Sequence, residues 1–216
     1  MTRITRIIAT CAAATCALIA ACSGIGSKSD ADTAALDPDA PGLRVGDQVP
    51  PVTLVDENGS EILLSTLYAD KPLVLVFYRG GWCPFCTRAL KDWRDHVDEV
   101  TQLGANFVAV TPESPDNFAK TIDKNKLDYT VLGDPTLAAA RAFHVHFTVD
   151  EATKEQYESY GIDVAANNSS GTWELPAPGT FIIDTDAIVR FADAHWDYKI
   201  RAAPEDVIAA LKEIAE

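Results

Sequence analysis

Two cysteines three positions apart lie in the segment YRGGWCPFC, residues 78–86. Cys83 and Cys86 have a spacing that suits a metal clamp, a structural staple or a reversible redox couple. A disulfide between them would close a very small loop, and disulfide stabilisation grows with loop length. The spacing therefore favours reversible thiol–disulfide chemistry over a purely structural bridge.

The chemistry of the pair depends on the cellular compartment, which the N-terminal sequence indicates. Arg3 and Arg6 precede an apolar, alanine-rich stretch that is shorter than the ~20 residues of a membrane-spanning helix. A short charged region followed by a short apolar one is typical of a signal peptide, here residues 1–21. We therefore expect export of the chain and removal of this segment.

The sequence LIAAC, which ends at Cys22, resembles the lipoprotein box of bacteria. The resemblance implies that Cys22 becomes lipidated and forms the new N-terminus; ordinary secretory cleavage, which leaves a free thiol, is the alternative. Ser23 favours the outer membrane. The predicted location is thus the cell envelope, where the domain faces the periplasm and only the lipid attaches it to the membrane.

Export leaves two cysteines available for redox chemistry. Cys11 and Cys16 would leave with the signal peptide, and lipid would block Cys22. In an oxidising compartment, Cys83 and Cys86 are expected to form a disulfide unless a reductant keeps them reduced.

The composition limits the domain organisation and the partners. Net charge is −14 and hydrophobic content is 47%. Such an acidic chain repels nucleic acid and anionic lipid headgroups, so we exclude nucleic-acid binding. Residues 22–42 are small, acidic and punctuated by proline, which predicts a lipidated flexible tether. Residues 43–216 are predicted to form one globular domain.

The chain from residue 43 onward alternates between strand and helix patterns. The almost wholly apolar segment 73–78 suits a central strand that is buried on both faces. Hairpins are predicted around Asn58–Gly59 and Thr185–Asp186. The remaining predicted strands are 106–111 and 129–134, and the remaining predicted helices are 84–103, 114–125, 135–143 and 204–215. This order predicts an α/β fold with a central mixed sheet flanked by helices.

The cysteine pair falls where the central strand ends and a helix begins. Pro84 suits the first helical position, so Cys83 lies at the N-terminus of the helix and Cys86 one turn further on. Unpaired amides and the positive end of the helix dipole stabilise a thiolate there. The position predicts that Cys83 is the more exposed thiol with the lower pKa, and that Cys86 faces partly inward.

Three segments carry a family resemblance: FYRGGWCPFC, the upstream VGDQVPPVTLVDENG and the downstream APGTFIID. Over roughly residues 43–216 the chain resembles the alkyl hydroperoxide reductase and thiol-specific antioxidant family, the peroxiredoxin-like branch of the thioredoxin fold. The resemblance implies a thioredoxin-like fold and a thiol peroxidase. Pro178 matches the cis-proline that faces the redox pair in thioredoxin-like proteins; the alternative is that it only begins a strand.

The motif also departs from the peroxiredoxin pattern. Peroxiredoxins carry Pro-x-x-x-Thr/Ser-x-x-Cys, with the attacking cysteine at the position of Cys86, and an arginine shortly before the Phe-Ile-Ile-Asp strand. The supporting positions here hold Arg79, Cys83 and Pro178, so the usual peroxide-activating set is missing. By helix position we favour Cys83 as the attacking thiol and Cys86 as the resolving thiol, whereas the alignment favours Cys86.

Neighbouring side chains are further candidates for the site. Arg79 and Arg88 flank the pair and are candidates for supplying positive charge, although arginines beside a helix start are often solvated. Trp82 either packs beside the pair or fills the core. We expect no cofactor beyond the two thiols.

Other functions remain open at this stage. The same cysteines would serve a thioredoxin-like protein disulfide reductase. A copper-binding module is the non-enzyme alternative, with His195 as the distant ligand. A c-type haem site is excluded because Thr87 follows the pair where histidine is required. The HVH sequence at 144–146 reads as the end of a strand or helix.

Partners and specificity follow from the favoured function. We expect a peroxide or disulfide substrate and a thiol electron donor such as a thioredoxin-like reductant. Residues 148–172 are predicted to be an insertion that forms a short helix and a polar loop. Substrate selection and simple surface decoration are equally compatible with this segment.

Overall fold

The computed structural model of the protein describes residues 40–214. The predicted signal peptide 1–21, Cys22 and most of the predicted tether 22–42 lie outside the described residues. Within residues 40–214, no helix is both long and apolar enough to cross a bilayer.

Strands and helices alternate along much of the described chain. The strands are β1 (Thr53–Val55), β2 (Glu61–Leu63), β3 (Leu73–Phe77), β4 (Asn106–Thr111), β5 (Thr130–Gly133), β6 (His146–Thr148), β7 (Glu174–Pro176), β8 (Gly179–Ile183) and β9 (Val189–Ala194). The helices are α1 (Leu64–Leu67), α2 (Pro84–Arg94), α3 (Val97–Gln102), α4 (Pro115–Asn125), α5 (Ala138–Ala142), α6 (Glu151–Ser159), α7 (Val164–Asn167) and α8 (Pro204–Ile214).

The main sheet of the described chain has the strand order β2-β1-β5-β4-β3-β8-β9. The β3–β4 and β4–β5 pairs are parallel, whereas the β1–β2, β1–β5, β3–β8 and β8–β9 pairs are antiparallel. The predicted mixed sheet and both predicted hairpins are therefore confirmed.

Strand β3 lies at the centre because both of its edges are paired and all five of its residues are buried. Leu75 pairs with Val108 on one side and with Phe181 on the other. Successive side chains point to opposite faces of a strand. Leu73, Leu75 and Phe77 thus enter one core cluster, and Val74 and Val76 enter the other.

The two core clusters are covered by different helices. The face reached by Val74 packs against apolar residues of α2, α3, α4 and α8. The opposite face packs against α1 and α5, where Phe143 contacts Phe77 and Phe181 at ring-centroid distances of 5.2 and 5.1 Å. This packing fixes the direction of β3 and of the turn that follows it.

The predicted single helix over residues 84–103 is wrong. The chain leaves the helix at Asp95, whose amide donates to the carbonyl of Asp92, while the amide of His96 donates to the carbonyl of Trp93. A second helix begins after His96. The break lets Val100 of α3 enter the same core cluster as Trp93 of α2. A straight helix would carry its second half past that core.

Residues 146–176 form a separate lobe on the described domain. β6 and β7 pair antiparallel, with Phe147 opposite Leu175, and the segment between them contains α6 and α7. A small cluster of Val149, Val164 and Leu175 forms the lobe's own buried core. The predicted short helix in residues 148–172 is therefore present, followed by a second one.

Candidate active site

The turn between β3 and α2 presents the cysteine pair. The amide of Tyr78 donates to the carbonyl of Val110 at 2.9 Å, which continues the sheet pairing by one residue. The amide of Cys83 then donates to the carbonyl of Gly80 at 3.1 Å. Cys83 has extended backbone angles, and Pro84 is the first residue of α2. This confirms the predicted position of the pair at a helix N-terminus.

Two glycines allow the turn to pack tightly. Gly80 has a φ of +150°, and a Cβ there would collide with the Trp82 side chain. Gly81 lies so close to Thr121 that a Cβ would overlap with its hydroxyl. Side chains at these positions would therefore displace the segment that carries Arg79 and Cys83.

Both thiols are buried, whereas the sequence predicts that Cys83 is the more exposed of the two. Cys83 is 1% exposed and Cys86 is 0% exposed. The reason is that Cys83 belongs to the core cluster formed with α2 and α8, and that the buried Arg79 contacts its sulfur. The structure holds both cysteines as free thiols, so their disulfide remains a prediction.

Each sulfur contacts its own arginine. Arg79 Nη2 donates to Cys83 Sγ at 3.3 Å, and Arg201 Nη2 donates to Cys86 Sγ at 3.2 Å. Arg79 is only 3% exposed, so the expectation of a solvated arginine is wrong at this position. The geometry supports its candidacy as the source of positive charge.

Arg201 is a site residue that the sequence did not indicate. It lies in the loop between β9 and α8, 115 residues after Cys86. Its Nη1 also donates to the carbonyl of Tyr198 at 2.8 Å, which fixes the guanidinium beside the sulfur. No local motif marks the position, and only the packing of the loop against α2 brings it to the pair.

The two thiols have opposite electrostatic environments. The hydrogen bond from the Cys86 thiol, together with the positive charge of Arg79, lowers the pKa of Cys83 to about 5 despite its burial. Burial and the hydrogen bond to Cys83 raise the pKa of Cys86 well above its ordinary value. One thiolate and one protonated thiol are thus favoured near neutral pH.

Aromatic rings surround the Arg79 guanidinium. Its central carbon lies 4.1 Å from the ring centroid of Tyr198, 5.2 Å from that of Trp82 and 5.8 Å from that of Tyr157. Arg79 Nη1 also donates to the Tyr157 hydroxyl at 2.7 Å. Trp82 therefore packs beside the redox pair, and Tyr157 brings α6 to it.

Glu113 is a second site residue that the sequence did not indicate. This carboxylate is 2% exposed and accepts hydrogen bonds from the amide of Gly81 at 3.0 Å and from the hydroxyl of Thr121. Burial raises its pKa. Glu113 thus anchors the turn that contains Gly81, without a hydrogen bond to either sulfur.

The structure gives less support to the remaining predicted site residues. Pro178 borders the small cavity that also contains Arg201, but the described residues contain no cis peptide bond, so the cis-proline prediction is wrong here. Arg88 is exposed on α2. His195 bonds to Asp193 at 3.0 Å, and the described part of the chain contains no cluster of three metal-ligating side chains. The HVH sequence lies between two elements, because His144 follows the end of α5 and His146 begins β6.

The described domain is similar to known proteins of one family. Residues 45–192 match the AhpC/TSA family. A putative peroxiredoxin of Mycobacterium tuberculosis is 32% identical over 93 residues, which is 43% of this chain and 59% of that protein. The peroxiredoxin Bcp of Bacillus subtilis is 31% identical over 103 residues, 48% of this chain and 65% of that protein. The chain therefore spans less than two thirds of the length of these curated relatives.

A solved structure gives a broader match. The crystal structure of peroxidoxin BcpB from Mycobacterium tuberculosis is 25% identical and has a TM-score of 0.64. The alignment covers 80% of this chain and 98% of that one. The predicted thioredoxin-like fold, with its mixed sheet and flanking helices, is confirmed.

Proposed function

This chain belongs to the AhpC/TSA family, and we propose that it is a thiol peroxidase that reduces hydroperoxides through Cys83 and Cys86. One observation carries the proposal: a buried thiol with a pKa of about 5 accepts a hydrogen bond from an arginine and lies beside a second buried thiol. The first can attack as a thiolate, and the second is close enough to resolve the product.

The reaction begins at Cys83. Its thiolate attacks one oxygen of the peroxide, an S–O bond forms and the O–O bond breaks. The leaving alkoxide or hydroxide takes a proton from solvent, and Cys83 becomes a sulfenic acid. Arg79 donates to Cys83 Sγ and stabilises the attacking thiolate.

Resolution follows at Cys86. Its sulfur attacks the sulfenic sulfur, an S–S bond forms and hydroxide leaves. The Cys86 proton and the hydroxide together make water, so this step requires no outside acid. An external thiol donor, such as a dithiol protein, then reduces the disulfide through a mixed disulfide and restores both thiols.

Protein disulfide reduction is the second candidate function. The observation in its favour is the order of the pair, with the low pKa at Cys83 and the high pKa at the buried Cys86. A thiolate at the N-terminal position and a protonated partner also suit disulfide exchange. Here Cys83 would attack a substrate disulfide in place of a peroxide.

One parallel assay distinguishes the two functions. The purified domain is tested for thiol-dependent consumption of hydrogen peroxide and for reduction of insulin disulfides, with a free dithiol as the common control. A thiol peroxidase consumes peroxide much faster than the dithiol and reduces insulin slowly. Peroxide consumption no faster than with the dithiol would sink the proposal and favour the reductase.

We also propose that the mature protein is held in the bacterial envelope by lipid on Cys22, facing the periplasm. The LIAAC sequence and the charged, apolar segment before it support this location. An envelope location would place the peroxidase where peroxides enter the cell. Its reductant would then be a thiol donor of the same compartment.

A further inference from the structure

Arg201 contacts the sulfur of Cys86, the thiol that resolves the sulfenic acid in the proposed mechanism. Its Nη2 is 3.2 Å from Cys86 Sγ, and its Nη1 is held by the carbonyl of Tyr198 at 2.8 Å. Arg79 already serves Cys83 through a separate contact. The two sulfurs of the pair therefore have one guanidinium each, from two distant parts of the chain.

We propose that Arg201 is a catalytic residue of the resolving step, where its guanidinium stabilises the Cys86 thiolate once Cys83 has been oxidised. This inference rests on the proposed peroxidase function. It assigns a separate guanidinium group to the resolving thiol.

The charges around Cys86 explain the order of events. The titratable and charged groups that face it are Cys83, Arg79, Arg201 and the buried hydroxyl of Tyr78. While Cys83 is a thiolate, its negative charge and its hydrogen bond hold the proton on Cys86. Burial of Cys86 acts in the same direction.

Oxidation of Cys83 reverses this balance. A sulfenic acid is neutral, so the anion that opposed ionisation of Cys86 disappears. Arg201 and Arg79, which both lower the pKa of Cys86, remain in place. Because both sulfurs are buried, charges at these distances act strongly. Cys86 therefore becomes nucleophilic at the moment when its target has formed.

The step balances without further reactants. The Cys86 thiol loses its proton beside Arg201, its sulfur attacks the Cys83 sulfenic acid, and hydroxide leaves. The released proton and the hydroxide form water. Two thiol-derived sulfurs are then joined as the disulfide that the external dithiol reduces.

A single-turnover experiment tests the assignment. Arg201→Gln, Arg201→Lys and the control Arg88→Gln, an exposed arginine of α2, are each mixed with one equivalent of hydrogen peroxide. Sulfenic acid is trapped with dimedone, and the disulfide is counted by mass spectrometry. The wild-type protein and Arg88→Gln should form the disulfide at the same rate.

Arg201→Gln should oxidise Cys83 within about twofold of the wild-type rate and form the disulfide at least about tenfold more slowly, as expected for loss of a hydrogen bond to a charged group. Dimedone-trapped sulfenic acid should accumulate at Cys83. Arg201→Lys should recover part of the lost rate, because the positive charge is kept. A residue that only holds the loop would not show this split between the two steps.

A second measurement needs no peroxide and separates this inference from the proposed function. The ultraviolet absorbance of the Cys86 thiolate is followed against pH in Cys83→Ser, with and without Arg201→Gln. Loss of Arg201 should move the titration to higher pH even if the wild-type protein proves not to be a peroxidase. Disulfide formation within twofold of wild type in Arg201→Gln, or a slower first oxidation instead, would overturn the assignment.

Discussion

Tyr157 accepts a hydrogen bond from Arg79 at 2.7 Å, and this contact ties α6 to the turn that carries Cys83. Helix α6 contains no buried residue, so its hold on the domain is weak. The Tyr157 ring also packs against Trp82 at a centroid distance of 5.7 Å. Because Cys83 is 1% exposed, a substrate reaches its sulfur only when neighbouring side chains move.

Tyr157→Phe should therefore speed alkylation of Cys83. Loss of a hydrogen bond of about 1 kcal/mol corresponds to roughly fivefold easier opening. Iodoacetamide labelling rates, followed by mass spectrometry, measure the effect. The control is Tyr160→Phe, a mostly exposed tyrosine at the end of the same helix, which should label at the wild-type rate. Equal labelling of all three proteins would contradict a covering role for α6.

Arg79→Gln should raise the pKa of Cys83, because the nearest positive charge is lost. Loss of an adjacent opposite charge corresponds to a rise of about two in pKa. The wild-type thiolate persists until the pH falls to about 5, whereas the variant should lose it already near neutral pH. At about pH 6 the alkylation rate should be roughly tenfold lower. An unchanged pH profile in Arg79→Gln, like that of Arg88→Gln, would argue against this contact.

Much of this site followed from local sequence patterns. The apolar run of β3 and Pro84 after Cys83 are both local features, and they placed the pair at the start of α2. The placement of a helix N-terminus directly after a buried strand depends on few distant residues. The position of Arg79 beside the pair also followed from its place in the same turn.

The wrong predictions and the missed site residues depend on packing between distant parts of the chain. Arg201 is 115 residues from Cys86, and Tyr157 is 78 residues from Arg79. Cys83 is buried in a core cluster that includes residues of α8, so its position at the helix start did not predict its burial. The break between α2 and α3 likewise reflects a fit of Val100 into the core, which the helical pattern of residues 84–103 does not contain.

Glu113 should make the stability of the domain depend on pH. Burial raises its folded-state pKa, so the folded state binds the proton more tightly than the unfolded state. The associated stability is present at low pH and is lost as pH rises through the folded-state pKa. The free energy of unfolding of the wild type, relative to Glu113→Gln, should thus fall as pH rises above the ordinary carboxyl pKa of about 4.3.

Urea denaturation at a series of pH values measures this trend. Glu155→Gln, at an exposed position on α6, is the matched control and should track the wild type. A difference between wild type and Glu113→Gln that stays constant with pH would show that the carboxylate does not titrate as its burial implies.

Cys22→Ala should release the protein from membranes. The predicted lipid attaches to this cysteine, so the variant should move from the detergent phase to the aqueous phase when cells are fractionated. Metabolic labelling with a fatty acid should mark the wild type alone. Wild-type protein recovered in the aqueous fraction without detergent would contradict the anchor.

The most direct test of the central claim compares the two single-cysteine variants against peroxide. The claim is that Cys83 attacks and Cys86 resolves. Each variant receives one equivalent of hydrogen peroxide, and the rate of peroxide loss and the oxidised sulfur are followed. Cys86→Ser should consume its equivalent quickly and carry sulfenic acid at Cys83, whereas Cys83→Ser should react slowly. Fast peroxide consumption by Cys83→Ser, with sulfenic acid at Cys86, would contradict the account and move the attack to Cys86.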